Sequence, residues 1–351
     1  MIDYNNKVVQ DDLTQICRSG LNWKEFDNKT VLITGATGML AEYLAFILLY
    51  LRKDYDVRVN VIALCRTRNH AEKVYGDFLD KDYFSLLYQD VCMPIEYRGE
   101  IDYIFHLAGN ASPYSINNDP VGILKANLLG TFNVMELARE KSVHRVLFVS
   151  TREVYGASSE SQLSETSFGR LDPMDNRSCY PESKRAAETI LRSYYLQYGI
   201  ECVIARVAHS YGPGMKIHND GRVMADFMGN AVDGKDIVLH SSGEAVRSFL
   251  YLSDAVVGLF TILLNGKEGE AYNLSNEQEP MPIYKVAELI CSLVPEKNIQ
   301  VVFSNEKPKG GYCNYPRVAL NNQKIQNLGF EPQVDLKNGL IKTILSYQND
   351  R

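Results

Sequence analysis

The sequence predicts an α/β protein built on a doubly wound parallel sheet, with a smaller C-terminal lobe. Short β-branched runs alternate with helical apolar patterns through the first part of the chain, and alternation of this kind buries parallel strands between two helix layers. A glycine-punctuated turn joins the first run to the first helix, as at the ligand-binding edge of open parallel sheets. Past about residue 210 the rhythm shortens to pieces marked by Gly and Pro, namely YGPGM, HSSGEAV, EQEPMP and EKPKGG, which punctuate turns.

Taken in order, residues 1–28 read as a polar N-terminal extension. Residues 31–34 form a strand that ends at Gly35, and a helix begins near Met39. The most apolar run, 40–51, is interrupted by Glu42 and falls short of the roughly 20 residues a membrane helix needs, so it reads as a buried helix. Further strands are expected at 57–64, 101–107, 146–150 and 202–207, separated by helical stretches. The sheet domain then spans 29–210, and 211–351 is mainly a second lobe. Within that lobe, 253–264 has the pattern of a core helix returning to the first domain, and a last helix near 336–346 closes the fold.

At 351 residues and roughly 150 residues per domain, the chain suits two domains or one large α/β unit. Lys and Arg total 37 against 43 Asp and Glu, a net charge of -6, which argues against nonspecific attachment to nucleic acid or to an anionic membrane. A phosphate-bearing ligand must therefore be held by local features. Cysteines 17, 65, 92, 179, 202, 291 and 313 include no CxxC pair, and the six histidines show no HxxxH or HxH spacing. No metal site is expected, and a reducing, cytoplasmic compartment is. The first residues are acidic where a signal peptide would be basic and then apolar.

Thr34 to Ala41 read TGATGMLA. Glycine at 35 and 38 permits positive φ and close backbone approach, while free N–H groups at the helix start favour a pyrophosphate. The spacing is GxxGxxA, with the small Ala41 in place of a third glycine. The residue after the second strand selects the cofactor, since a carboxylate there binds the ribose 2′-OH of NAD and an arginine accommodates the extra phosphate of NADP. Here the segment reads IALCRTRN, so Cys65 is followed by Arg66 and Arg68. NADP is favoured, unless both arginines are merely solvated loop charges.

CYPESKR, 179–185, sets Tyr180 four residues before Lys184, one turn apart on one helix face. Lys184 is then expected to lower the Tyr180 phenol from its ordinary value near 10. Some thirty residues earlier, STREVYG places Thr151 and Glu153 just past a strand end, where open sheets carry ligand groups.

With these motifs assembled, the chain resembles the extended short-chain dehydrogenases/reductases that modify nucleotide sugars. TGATGMLA, HLAGNAS, STREVYG and YPESK stand in that family's order. The likeness is greatest to the UDP-glucuronate decarboxylases, carried by ASPYSINNDP, KANLLGTFNV, RSCYPESKRAAET, NDGRVMADF and GEAVRSFLYLSD. The resemblance implies a Rossmann sheet with a substrate-binding lobe, NAD or NADP as cofactor, a nucleotide-sugar substrate and a homodimer. It implies a catalytic Thr151, Tyr180 and Lys184, with Glu153 near the sugar. Cofactor contacts implied are Gly35, Thr37, Gly38, Met39 and Leu40 at the turn, then Arg66, Arg68, Asp90 and Val91. Leu107, Ala108, Gly109, Asn127 and Arg206 complete them. Ser112, Glu153, His209, Arg222 and Arg247 fall to the substrate, with Arg247 at the nucleotide diphosphate.

Three departures from the family bear on function. The carboxylate expected after the second strand is replaced by Cys65 and Arg66, the third turn glycine is Ala41, and His209 stands where an amide usually meets the nucleotide sugar. His209 marks either an altered substrate or a hydrogen-bonded structural histidine. The related 4,6-dehydratases carry Asp then Glu after the catalytic Thr, whereas this chain has Arg152 and Glu153, which argues against water elimination. His106 and Cys179 read as packing residues, and Tyr155, Tyr194, Tyr195 and Tyr198 as core or dimer contacts. The leading expectation is decarboxylation of a nucleotide-linked uronic acid through oxidation at C4. The alternatives are NADPH-dependent reduction or epimerisation of another activated sugar or polyol precursor, and, remotely, a non-catalytic cofactor-binding subunit.

Overall fold

The computed structural model describes residues 2–304 and 319–348, so the EKPKGG stretch and Cys313 lie outside the described residues. Seven strands form one parallel sheet: β1 (Thr30–Thr34), β2 (Asn60–Cys65), β3 (Phe84–Tyr88), β4 (Tyr103–His106), β5 (Arg145–Thr151), β6 (Cys202–Val207) and β7 (Glu270–Leu274), in the order β7-β6-β5-β4-β1-β2-β3. The order reverses at β1, which pairs Thr34 with Leu64 of β2 on one side and with His106 of β4 on the other. A crevice opens at such a reversal, beyond the carboxyl ends of the strands.

Both edge strands, β3 and β7, escape the sequence reading because FSLLY and EAYNL mix polar residues into short segments. They become strands by pairing with β2 and β6, a tertiary contribution that propensity does not capture.

The first 28 residues depart from the expectation of a polar extension. Helix α1 (Lys7–Cys17) buries Val8, Val9, Leu13 and Ile16, and Trp23 and Phe26 follow it into the main core. The Asn6 side chain caps α1 by accepting from the Val8 N–H at 3.0 Å. Asp12, fully buried, accepts from the hydroxyls of Tyr43 at 2.9 Å and Tyr251 at 2.8 Å, and from Lys342 Nζ at 2.7 Å. The apolar spacing was present in the sequence, but the intervening Lys, Gln and Asp residues dilute it.

Helix α2 (Met39–Asp54) buries residues 41–49 without a break, enclosed by the sheet, α1 and a later helix. Helices α3 (Pro120–Lys141) and α4 (Cys179–Tyr198) pack against each other on the opposite face. Helix α5 (Val223–Asp233) belongs to a second apolar cluster with Ile237, Phe249 and Ile290. Helix α6 (Leu252–Asn265) lies against α1, α2, β5 and β6. The terminal helix α7 (Leu336–Gln348) contributes Leu340 and Ile344 to the α5 cluster and Lys342 to Asp12. Among the described residues no helix is long and apolar enough to cross a membrane, no three or more His, Cys, Asp or Glu gather as for a metal ion, and six cysteines are free thiols.

Candidate active site

The turn after β1 is shaped by what it excludes. Gly35 has φ of 66°, and a Cβ there would stand 2.8 Å from the Cα of Ala108 on the neighbouring turn after β4. Any side chain at 35 would force the β1 and β4 turns apart. Gly38 caps α2 with no side-chain bond, leaving first-turn N–H groups of Met39 and Leu40 without helical partners, beside the positive end of the helix dipole. Thr37 is partly exposed in this turn, and Ala41 is buried against the core.

Behind the turn, Thr34 Oγ1 accepts from the N–H groups of Leu107 at 3.2 Å and Ala108 at 3.1 Å and meets His106 Nδ1 at 2.8 Å. His106 Nε2 meets Thr131 Oγ1 at 3.1 Å. Burial, with the Lys184 charge second, holds His106 down to about 3, so its imidazole is neutral and structural.

Asn127 on α3 donates from Nδ2 to Ser183 Oγ at 2.8 Å, while its Oδ1 is buried with no partner among the described residues. A Cβ on Gly109 would stand 2.7 Å from that oxygen and 3.7 Å from Lys184 Nζ. The glycine cradle, the helix N-terminus and this open acceptor beside a buried cation together fit a nicotinamide dinucleotide laid across the crevice.

At the far end, Cys65 is buried and Arg66 is exposed. Arg68 stacks 4.4 Å over Tyr88 and pairs with Glu72 at 3.6 Å, which leaves Arg66 as the less engaged cation. The Asp90 carboxylate accepts from the Cys92 N–H at 2.9 Å and is held below the usual range by that bond, with Arg66 also contributing. Val91 packs on Gly130 of α3.

Arg206 is corrected by the structure. Its Nε and NH2 donate to Glu188, with the closest contact 2.7 Å, and NH1 donates to Tyr155 Oη at 3.0 Å and Glu165 O at 2.9 Å. Its donors are directed into a framework network, away from a cofactor role. Tyr155, donating to Asn273 Oδ1 at 2.5 Å, belongs to the same network.

Thr151 ends β5 and is buried, as are Tyr180 and Lys184 in the first turns of α4. The Tyr180 phenol lies close enough to Thr151 for that side chain to favour its ionised form. Burial pushes the phenol well above its ordinary value and Glu153 adds to this, while Thr151, Arg222 and Arg177 oppose it. The expected lowering by Lys184 is absent from this balance. Lys184 Nζ donates to the Val149 carbonyl at 2.8 Å and sits 4.4 Å over the Phe148 ring. Burial lowers Lys184 itself to about 7, so part of its charge is lost near neutrality.

Glu153 is bound by NH2 of Arg177 at 2.6 and 2.7 Å, so its carboxylate is occupied by a partner that sequence reading did not single out. Ser112 is turned to local work: its Oγ caps the helix Pro113–Asn118 by accepting from the Ser115 N–H at 3.2 Å. Arg222 is clamped by buried Asp220 through Nε and NH2 and still acts on the Tyr180 phenol. His209 and Arg247 line one narrow cleft together with Arg152, Ser248 and Glu277.

The model of the NAD dependent epimerase/dehydratase family matches residues 31–275. The chain belongs to this family. It is 35% identical to UDP-glucuronic acid decarboxylase 1 of Xenopus tropicalis over 93% of this chain and 74% of that protein. It is 33% identical to UDP-glucuronic acid decarboxylase 6 of Arabidopsis thaliana over 89% of this chain and 87% of that one. Among solved structures, the fold is shared with UDP-glucose 4-epimerase of Thermotoga maritima (TM-score 0.78, 21% identity, 92% of this chain and 99% of that one). It is also shared with dTDP-glucose 4,6-dehydratase of Bacillus anthracis in complex with NAD (TM-score 0.73, 22% identity, 92% and 97%).

Proposed function

We propose that this epimerase/dehydratase family member is a nucleotide-sugar enzyme of the UDP-glucuronate decarboxylase type. The observation that carries the reading is the burial of Thr151, Tyr180 and Lys184 together at the crevice, where Lys184 Nζ and the Oδ1 of Asn127 flank Gly109. The decarboxylase relatives support it, and so does Arg152, since an acid there would be needed to eliminate water.

Gly35, Thr37, Gly38, Met39 and Leu40 would hold the cofactor diphosphate, with Leu107 to Gly109, Asn127 and Lys184 toward its nicotinamide end. A bound nicotinamide supplies hydride acceptance and return and, when oxidised, a positive charge. Tyr180 takes the proton from the sugar 4-hydroxyl, and Thr151 orients that hydroxyl. Burial and Glu153 hold the resting phenol high, so it must give up its proton before it acts as base, a loss that the positive charge of an oxidised nicotinamide and of Lys184 would favour. Once C4 is a ketone, a C6 carboxylate is β to it; the C5–C6 bond breaks, its electrons enter an enolate and CO2 leaves. C5 takes a proton from water, and as hydride would return to C4, Tyr180 gives its proton back to O4. Arg222 and Arg247 are the proposed substrate contacts.

Incubation with UDP-glucuronate tests this by CO2 release and product mass, and Tyr180→Phe is expected to slow turnover by about 10²-fold or more. Neither CO2 nor any change in the sugar would overturn the assignment.

Arg66 favours NADP over NAD, and with it a second reading, net NADPH-dependent reduction of an activated sugar. Reduction consumes NADPH in step with product, whereas decarboxylation or epimerisation returns its hydride. A nucleotide titration of the wild-type protein and Arg66→Asp decides the cofactor, with the preference for NADP expected to fall in the variant.

The exposed faces of α3 and α4 carry Leu129, Phe132, Leu196 and Tyr198, an apolar surface suited to a homodimer.

A further inference from the structure

A narrow cleft beyond the ends of β5 and β6 is lined by Arg152, His209, Arg247, Ser248 and Glu277. Its charged groups are two arginines and one carboxylate. Glu277 is held within the protein: it accepts from the hydroxyls of Ser248 and Ser275, each at 3.0 Å, and from the Leu320 N–H at 3.2 Å. Arg247 donates to the Val246 carbonyl at 2.8 Å. Arg152 has no hydrogen-bond or ion-pair partner among the described residues, and the Nε2 of His209 is buried and unbonded.

The histidine is held in an uncommon backbone state, with φ of 45°, while its carbonyl accepts from the Leu250 N–H at 3.2 Å and its ring lies 5.8 Å from that of Phe249. Burial, with Arg152 and Arg247 adding, keeps the imidazole neutral. A neutral ring whose Nε2 has no protein partner offers that atom to a ligand. Arg152 directly follows Thr151 in the chain, and its charge acts on His209 across the cleft.

We propose that Arg152 and His209 form the part of the sugar pocket that reads a carboxylate, so that this chain selects a uronic-acid nucleotide over the neutral hexose nucleotide. The inference rests on the nucleotide-sugar reading above and assigns the selection to two residues at which the chain departs from its family pattern. A carboxylate accepts from the guanidinium and from Nε2–H at once. A neutral hydroxymethyl group leaves the guanidinium charge uncompensated in a confined space.

The test is calorimetric titration with UDP-glucuronate and with UDP-glucose in a Tyr180→Phe background that slows turnover. UDP-glucuronate is expected to bind at least about tenfold more tightly, in line with a hydrogen bond to a charged group. Arg152→Ser and His209→Asn should each reduce that ratio and together abolish it. Affinity for UDP-glucose should change by less than about threefold, since the neutral sugar makes no charged bond at this wall. Equal affinity for the two sugars in the background protein, or parallel weakening of both by the variants, overturns the inference while leaving the nucleotide-sugar reading intact. Binding of neither sugar by the folded protein overturns that reading and this inference with it.

Discussion

The Oδ1 of Asn127 comes within 2.7 Å of the point that a Cβ on Gly109 would occupy. This close approach keeps a buried acceptor open to the crevice, with Lys184 Nζ on its other side. A methyl group at 109 would have to displace the amide. Gly109→Ala is therefore expected to weaken cofactor binding by about tenfold or more, the equivalent of one hydrogen bond to a buried acceptor. Fluorescence titration with the reduced dinucleotide checks this, and unchanged affinity would place the cofactor elsewhere.

Lys184 predicts a pH dependence of stability. Its folded value is lowered from 10.5 to about 7 by burial, so between about pH 7 and 10.5 the unfolded chain binds the extra proton and stability rises with pH. The limiting slope is about 1.4 kcal/mol per pH unit for one proton. Below pH 7 both states are protonated and the slope vanishes. Denaturant unfolding of the wild type and Lys184→Met across pH 6 to 10 should show the difference between them growing more favourable to wild type with pH.

His106 acts with the same sign in acid. Held down to about 3 by burial, it remains neutral in the fold while the unfolded chain protonates it below about pH 6.5. Stability from this group is lost progressively from pH 6.5 toward 3. Removing the titration with His106→Gln should flatten that part of the profile relative to wild type, and an identical acid profile would contradict the buried neutral imidazole.

The Arg206 network makes an opposite claim about an arginine once expected at the cofactor. Arg206→Ala leaves the part-buried Glu188 carboxylate with only the Ser150 hydroxyl as a donor and should cost about 2 to 3 kcal/mol of stability. Cofactor affinity, measured below the variant's melting range, should remain near that of wild type. A selective loss of affinity at unchanged melting temperature would restore Arg206 to the cofactor.

The proposed dimer face gives a further outcome. Phe132 is 46% exposed on α3 and Leu196 68% exposed on α4, so a charge here meets water in the monomer but an apolar partner in a dimer. Phe132→Asp should shift the sedimentation profile toward monomer with little change in the far-ultraviolet circular dichroism. A wild-type protein that sediments as a monomer would remove the proposal.

Much of the sheet could be read from the sequence because central strands are mostly apolar: VLIT, NVIALC, YIFH and CVIARV are buried along most of their length and need little context. The glycine turn and the Tyr180 to Lys184 spacing were equally local, one demanding a missing Cβ and the other one helical turn. The edge strands, the buried placement of α1 and the Arg206 network were not local. Each depends on partners far along the chain, such as Lys342 for Asp12 and Glu188 for Arg206.

By itself, then, the sequence determined the layered α/β architecture, the glycine turn after β1 and the one-turn spacing of Tyr180 and Lys184, because periodicity and spacing act over one strand or one turn. Only the tertiary structure decided which charges are free to act. It bound Glu153 to Arg177 and Arg206 to Glu188, turned Lys184 toward Val149, and left Arg152, Asn127 Oδ1 and His209 Nε2 without a partner among the described residues. The physical reason is that a buried polar group is governed by whichever partner the packed chain brings within about 3 Å, and sequence distance carries no information about that.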